Sequence, residues 1–200
     1  MIYLTEYQRS RDRIRKFIQN QLGKKLQADQ KELKILSEAD LQSCAYHHLS
    51  NFFVKKKFSR WYILNQLPMG KKHQTKKIPD LVIARMKEGG DVKPIFLIEL
   101  KETEKYKKSA VVHDIKKLRG LLKKYKKWCE GCFFIYSVYD DELDSEEILV
   151  KINIIRDKYL KRLQNKSKIF SIPVNVVHSL THHNYDVWRK KRLKLRKFRR

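Results

Sequence analysis

The chain has 200 residues, and its 47 lysines and arginines against 22 aspartates and glutamates give a formal net charge of +25. Hydrophobic residues make up 42% of the sequence, which is enough for a core and excludes a disordered basic tail protein. So large a positive charge attracts polyanions, and the candidate classes are nucleic acid, an anionic membrane surface and an acidic protein. No window approaches the ~18 apolar residues of a membrane-spanning helix, and the N-terminus has no apolar stretch of a secretory leader. We therefore expect an intracellular protein, in its own cell or in a host, that does not bind membranes.

The cysteine content argues against a disulfide framework, because the chain has three cysteines and no secretory leader. Cys129 and Cys132 have the spacing of a zinc or redox pair. His178 and His182 could complete a zinc site with them, but these histidines lie too far along the chain for a compact finger. Ordinary small residues of a strand are therefore the favoured interpretation.

Two helices are predicted before the first strand. Residues from about Thr5 to Gln27 place apolar side chains at three- and four-residue spacing among arginines and lysines, which is typical of an amphipathic helix. This helix either packs on the rest of the domain or forms an arm that contacts DNA or a second copy of the chain. The second helix has an N-cap signature at Ser37-Glu38-Ala39-Asp40 and should end near Lys55.

Three strands are predicted next. The first covers the aromatic and branched residues Trp61–Leu64. The other two, Pro79–Met86 and Pro94–Glu102, flank Gly89-Gly90, which favours a β-hairpin. Both are apolar on consecutive residues, and this predicts that helices cover both faces of the sheet.

Helices and strands alternate in the second half of the chain. Helical spacing returns in residues 109–127, the run CFFIYSVYD is typical of a strand, and acidic DDELDSEE opens another amphipathic helix. A last strand spans Phe170–Leu180, where Pro173 indicates an edge position. The prediction is an α/β fold with a central mixed sheet of about four to five strands flanked by helices, in the order α-α-β-β-β-α-β-α-β.

Charged side chains stand at one end of the predicted hairpin. Asp80 begins its first strand, whereas Glu99 and Lys101 end the second, where they share a face because side chains alternate along a strand. If Gly89-Gly90 are the two loop residues, Asp80 lies directly opposite Glu99. Directly paired residues project from the same side with Cβ atoms about 5 Å apart. Two carboxylates and a lysine are therefore expected to meet at this end of the sheet.

Neighbouring carboxylates repel each other in a partly dry site unless a cation neutralises them. Oxygen ligands on two strands suit Mg²⁺ or Mn²⁺, which retain waters and accept phosphate oxygens of a substrate. Such an ion lowers the pKa of a bound water and stabilises charge that develops at phosphorus, while Lys101 can orient the water. The pattern therefore predicts phosphodiester hydrolysis with Asp80 and Glu99 as metal ligands. A buried ion pair between Lys101 and one of these carboxylates is the structural alternative.

Pro79-Asp80 followed by Glu99-Leu100-Lys101 resembles the PD-(D/E)xK nuclease superfamily, which includes Holliday-junction resolvases, viral nucleases and transposon-end nucleases. The resemblance covers about Ser37 to Asp140 and extends to the order of the elements. It implies a restriction-endonuclease-like core and a Mg²⁺- or Mn²⁺-dependent endonuclease that acts on DNA, with RNA left open. It also implies a homodimer, as resolvase-like members use, or partners in recombination or transposition.

The resemblance divides the chain into three parts. They are an N-terminal amphipathic helix (residues 1–35), a nuclease domain (36–188) and a basic C-terminal tail (189–200). The tail holds nine lysines or arginines and no acidic residue, so most of the positive excess lies elsewhere.

Further residues are candidates for the same site. The family often adds an acidic residue from the helix before the strands, which points to Glu38 as a third catalytic and metal-binding residue; a helix-dipole carboxylate is the alternative. The DIKKL segment resembles segments of some family members and offers Lys117 for contact with substrate, although its pattern favours a solvated lysine. The other candidate nucleic-acid contacts are Lys55, Lys56, Lys57, Arg60, Lys71, Lys72, Lys76 and Lys77.

Two alternatives compete with a self-sufficient nuclease. A module with a nuclease fold could hold nucleic acid without cutting it. A subunit of a recombination or transposition complex could cut only when its partners are present. The intact acidic and lysine positions argue against the first alternative.

Overall fold

The computed structural model describes residues 5–32, 34–65, 79–86, 90–103, 106–125, 127–138, 145–160 and 169–175. Lys71, Lys72, Lys76 and Lys77 and the basic tail lie outside these residues. Within them, the chain forms five α-helices and a five-stranded sheet.

The first helical segment is continuous from α1 (Glu6–Phe17) through a π-helical turn (Ile18–Leu22) to α2 (Gly23–Lys31). Thr5 caps its start, because its hydroxyl accepts a hydrogen bond from the backbone N–H of Gln8 and the Gln8 side chain accepts one from the backbone N–H of Thr5. The predicted helix is confirmed and runs one turn further than expected. Its apolar side is buried in the core, so this segment packs on the domain.

The second predicted helix is α3 (Glu38–Lys56). Ser37 is its N-cap, and the hydroxyl accepts a hydrogen bond from the backbone N–H of Asp40 at 3.2 Å. The helix ends at Lys57, whose left-handed φ of 54° turns the chain away from the helix axis. Both ends of this helix agree with the prediction.

The five strands form one mixed sheet in chain order. They are β1 (Trp61–Asn65), β2 (Leu81–Met86), β3 (Val92–Thr103), β4 (Gly131–Val138) and β5 (Ile169–Asn175). β1, β2 and β3 are antiparallel neighbours, whereas β3, β4 and β5 run parallel. The mixed α/β sheet is therefore confirmed, and so is the edge position of the strand that contains Pro173.

Helices cover both faces of this sheet, as the apolar strands predicted. α1, α2 and α3 pack on one face, and α4 (Lys108–Lys124) and α5 (Ser145–Leu160) pack on the other. Each face has its own core, and neighbouring residues of β2 alternate between them: Val82 faces α4 and α5, whereas Ile83 faces α1 to α3. No helix in the described part of the chain is long and apolar enough to cross a membrane.

The cysteine pair belongs to the core beneath α4 and α5. Cys129 and Cys132 are buried, 2% and 0% exposed. The Cys129 thiol donates a hydrogen bond to the carbonyl of Gly131 at 3.3 Å. These residues pack as ordinary core side chains, which was the favoured interpretation.

A β-bulge interrupts the pairing of β2 with β3. Ile83 pairs with Phe96, but the next residue, Ala84, pairs with Pro94, so Ile95 is an extra residue in β3. Ile95 and Phe96 are consecutive, yet both are buried in the core beneath α1 to α3. The alternation of β3 side chains therefore shifts by one residue at the bulge.

Between the turn and the bulge, the pairing of β2 with β3 is shifted by one residue from the predicted register, and the bulge removes this shift. Near the turn, Met86 pairs with Val92, which is incompatible with a two-residue glycine loop, so the predicted pairing was wrong there. Beyond the bulge, Leu81 pairs with Ile98, which is the predicted register. Gly90 has a φ of 86°, a left-handed conformation that glycine adopts without steric cost.

Candidate functional site

The predicted charged residues meet at the end of the sheet where β2 begins. Since Leu81 pairs with Ile98, the next position of the same register sets Asp80 against Glu99. Both residues lie on the face covered by α4, because the alternating positions Val82 and Leu97 belong to that core. The carboxyl group of Asp80 raises the pKa of Glu99 by charge repulsion, which is the effect expected of close carboxylates.

The backbone around Asp80 is fixed by two hydrogen bonds. Its Oδ2 accepts the backbone N–H of Leu100 at 2.7 Å, so the carboxylate ties β2 to β3. Its carbonyl oxygen accepts a hydrogen bond from the side-chain amide of Gln42, in α3, at 2.9 Å. Burial raises the pKa of Asp80 above its usual range, although the bond from Leu100 acts in the opposite direction. Asp80 is therefore a positioned carboxylate in a partly dry environment.

Glu99 is the most deeply buried acid of the site, at 4% exposed. Its Oε1 accepts a hydrogen bond from Nζ of Lys117 at 2.6 Å. Its Oε2 is buried and has no hydrogen-bond partner among the described residues. Burial first, and then the charge of Asp80, raise the pKa of Glu99 to about 8. One oxygen of this carboxylate is thus available to a further cation or donor.

α3 reaches the same site through Glu38, as the sequence suggested. The Glu38 carboxylate accepts a hydrogen bond from Nζ of Lys101 at 2.9 Å. Glu38 is half-exposed and lies in the first turn of α3, so both its predicted roles, in the site and at the helix N-terminus, are compatible with its position. The bond to Glu38 raises the pKa of Lys101 against the effect of burial. Lys101 is therefore paired with the acid from α3.

Lys117 is not the solvated lysine that the pattern favoured, and that prediction was wrong. Its side chain is only 15% exposed, because α4 lies across this end of the sheet and directs the ammonium group to Glu99. Its neighbour Leu118 is buried in the core beneath α4 and α5. An ion pair between a strand and the helix that follows it depends on how the two elements pack, and it leaves no local signal in the helix.

Sequence reasoning missed Asp114 altogether. This residue of α4 is 7% exposed, and its Oδ2 is buried with no hydrogen-bond partner among the described residues. Burial raises its pKa, and the charges of Lys101 and Lys117 lower it, so it belongs to the same electrostatic cluster. A signal did exist: Asp114 occupies a position of the apolar stripe between Val111 and Leu118, where a solvated carboxylate is not expected.

The cluster carries more negative than positive charge. Four carboxylates share it with two lysines, and the members are Glu38, Asp80, Glu99, Lys101, Asp114 and Lys117. A protein of net charge +25 therefore holds an acidic pocket formed by these side chains, in which Asp80, Glu99 and Asp114 are desolvated and Glu38 is half-exposed. Across the described ranges, no three His, Cys, Asp or Glu side chains are grouped as a complete metal-binding set. Mg²⁺ nevertheless needs only one or two protein carboxylates when waters and substrate phosphates complete its shell.

The other described basic candidates lie at the opposite end of the sheet from Lys117 and the carboxylates. Lys55 and Lys56 end α3, about 27 Å along the helix from Glu38 at 1.5 Å per residue. Arg60 is next to the far end of β2, because its carbonyl accepts the backbone N–H of Met86. These residues are therefore not brought to the carboxylates.

No family profile, curated protein or solved structure matches this chain. The resemblance of Pro79-Asp80 and Glu99-Leu100-Lys101 to the PD-(D/E)xK nucleases, and with it a restriction-endonuclease-like core, stays a prediction. The geometry of the acidic pocket carries the functional argument.

Proposed function

We propose that this protein is a metal-dependent endonuclease that hydrolyses phosphodiester bonds of DNA, with Mg²⁺ or Mn²⁺ bound at Asp80 and Glu99. The observation that carries the proposal is the excess of buried carboxylates, with Oε2 of Glu99 unpartnered, inside a strongly basic protein. Desolvated acids beside one another are costly unless a cation joins them. A divalent cation removes that cost, and a polyanionic substrate explains the net charge of +25.

These oxygen donors suit a hard cation whose coordination shell is completed by the substrate. Asp80 offers its remaining oxygen, since Oδ2 is bonded to Leu100, and Glu99 offers Oε2. Glu38 and Asp114 are the further acids that can hold metal-bound water. When bound, the cation supplies an activated water and stabilises charge on the phosphate oxygens.

The two lysines have separate roles in this proposal. Lys101 follows Glu99 on the same face of β3 and assists the attacking water by holding it against the phosphate. Lys117 lowers the pKa of Glu99 against the effects of burial and of Asp80, so it favours the ionised carboxylate that a cation needs, and it becomes available to a phosphate oxygen once the cation is bound. Each lysine is already neutralised by a carboxylate, Glu38 or Glu99, so both need to be released for this chemistry.

This pairing favours one second candidate, a nuclease subunit that is activated by a partner. With both lysines bound to carboxylates, their ammonium groups are not directed at a substrate. A partner of a recombination or transposition complex, a second copy of the chain, or the substrate itself could break these pairs. Activity that appears only when such a partner is added would support this candidate.

A cleavage panel tests the proposal. The wild-type protein is incubated with single-stranded, duplex, flap, four-way-junction and RNA substrates, with Mg²⁺, with Mn²⁺ and with EDTA. We expect cleavage of at least one DNA substrate with metal and none with EDTA. Asp80→Asn removes one negative charge at nearly constant volume, and we expect it to abolish cleavage while binding of the same substrate persists. Undiminished cleavage by Asp80→Asn would contradict the assignment of the site.

A further inference from the structure

An aromatic groove lies between the end of α3 and β1, at the end of the sheet remote from the acidic pocket. It is an open groove with a volume of about 470 Å³, within the ~300–1,000 Å³ range of sites for small organic molecules. Its lining residues include five aromatic side chains, which are Tyr46, Phe53, Phe58, Trp61 and Tyr62. The groove is therefore large enough for a planar ring and lined by surfaces on which a ring can stack.

The aromatic side chains divide into a floor and two exposed walls. Trp61 and Phe53 are 7% and 8% exposed, and both belong to the core beneath α1 to α3. Tyr46 and Tyr62 are 38% and 37% exposed, which is unusual for such large side chains and leaves much of each ring open to solvent. The floor holds the groove in shape, because Phe58 packs edge-on against Phe53 with ring centroids 5.5 Å apart.

The rim of the groove is positively charged. Lys57 is one of the lining residues, and its sequence neighbours Lys55, Lys56 and Arg60 are exposed. The left-handed conformation of Lys57 ends α3 there and turns the chain toward β1, so the basic run lies at the junction of the two elements that line the groove. From Leu41 to Pro79 the sequence contains no acidic residue. A negatively charged ligand meets no repulsion from this part of the chain.

We propose that this groove binds single-stranded nucleic acid, with a base stacked on Tyr46 or Tyr62 and the adjoining phosphates on Lys55, Lys56, Lys57 and Arg60. Aromatic platforms combined with a basic track are the means by which proteins hold single strands without reading their sequence. A duplex does not fit as well, because its bases are already stacked and cannot enter the groove. Binding here is independent of cleavage, since the acidic pocket lies at the other end of the sheet.

The test measures the affinity for a ten-nucleotide oligothymidylate by fluorescence anisotropy in EDTA, where no cleavage can occur. A ten-unit abasic strand of equal charge separates stacking from attraction between charges. We expect the wild type to bind the oligothymidylate at least tenfold more tightly than the abasic strand. The double variant Tyr46→Ala/Tyr62→Ala should lose that difference, whereas Tyr46→Phe/Tyr62→Phe, which retains both rings, should keep it. Equal affinity of the wild-type protein for the two strands would overturn the proposal.

A charge control and a competing ligand complete the experiment. Lys55→Gln/Lys56→Gln should weaken oligothymidylate binding at least fivefold. Lys123→Gln/Lys124→Gln, an equal loss of charge on exposed residues at the end of α4, should weaken it less than twofold. Equal effects of the two pairs would contradict a localised site. Tighter binding of a polyglutamate peptide than of the oligonucleotide would assign the groove to an acidic protein segment instead. Each result is independent of the Asp80→Asn assay, so either proposal can fail alone.

Discussion

The two ends of the sheet differ in both charge and burial. At the end that holds Asp80 and Glu99, carboxylates outnumber lysines and the acids are removed from solvent. At the other end, Lys55 and Lys56 are exposed beside an open aromatic groove with no acid in its lining. A buried charge has a high desolvation cost unless a matching partner neutralises it, so buried charges are selective for their partners. Exposed charges are screened by salt and can interact with many partners. Under the two proposals above, the end with Asp80 and Glu99 acts on a phosphate group, and the end with Lys55 and Lys56 holds the strand.

The largest expected effect belongs to the acidic end. Glu99→Gln removes the carboxylate whose second oxygen has no partner, and metal-dependent cleavage should fall at least a thousandfold, or about 4 kcal/mol of barrier. Affinity for DNA should change less than threefold. Single-turnover cleavage with Mg²⁺, and anisotropy with Ca²⁺, measure the two quantities. A parallel loss of affinity and rate would show that the two ends do not have separate roles.

The next effect concerns stability of the metal-free protein. Lys117→Met leaves Glu99 buried without its ammonium partner, and we expect the free energy of unfolding at pH 8 to fall by about 2–3 kcal/mol. Urea denaturation in EDTA measures this loss. The double variant Lys117→Met/Glu99→Gln should recover most of it, since no charge then needs a partner. A loss of equal size in both backgrounds would mean that Lys117 contributes by packing and not by charge.

The pH dependence of stability should distinguish the wild type from Glu99→Gln. The pKa of Glu99 rises from 4.5 to about 8 on folding, so between these values the folded protein binds more protons than the unfolded chain. Stability conferred by the protonated acid is therefore lost as pH rises. From pH 6 to pH 8 in EDTA, the wild type should lose about 2 kcal/mol relative to Glu99→Gln. Parallel curves for the two proteins would contradict the raised pKa.

The smallest effect tests the basic end. Lys55→Gln/Lys56→Gln should leave the single-turnover rate at saturating DNA within twofold of the wild type, because both residues lie far from the carboxylates. When the logarithm of the affinity for DNA is plotted against the logarithm of the salt concentration, the slope should be shallower by about 1.5 for this double variant than for the wild type. Cleavage time courses and salt titrations give both numbers. A large fall in rate at saturation would show that the basic end also positions the phosphate for cleavage.

Local signals were sufficient for most of the fold. Ser37 marked the start of α3 because a hydroxyl cap depends on residues within one turn, and continuous apolar strands marked a sheet covered on both sides. The pairing of Asp80 with Glu99 also followed from the hairpin. Side-chain contacts between a helix and the sheet left no such signal. The bond of Lys117 to Glu99 depends on how α4 crosses the sheet, which periodicity does not specify.

The pairing of Asp80 with Glu99 was predicted correctly, but from an incomplete description of the hairpin. The two-residue glycine loop set the register that placed Asp80 against Glu99, yet the pairs next to the turn are one residue out of that register. The bulge at Ile95 compensates for the difference. A bulge of this kind depends on the packing of both Ile95 and Phe96 in one core. No single residue of the strand indicates the position of the bulge in the sequence.

The bulge has a consequence for how the length of β3 can vary. If Ile95 paired with Ile83 and no bulge formed, the register near the turn would continue, and Asp80 would lie against Ile98 with Glu99 one step beyond it. Side chains of β3 past that point would also exchange layers with those of the opposite face. Deletion of Ile95 should therefore keep Asp80 against Glu99, because Phe96 would still pair with Ile83, whereas insertion of one residue between Phe96 and Ile98 should separate the two carboxylates. The meeting of Asp80 and Glu99 thus depends on the register past the bulge and not on the number of residues between the turn and Glu99.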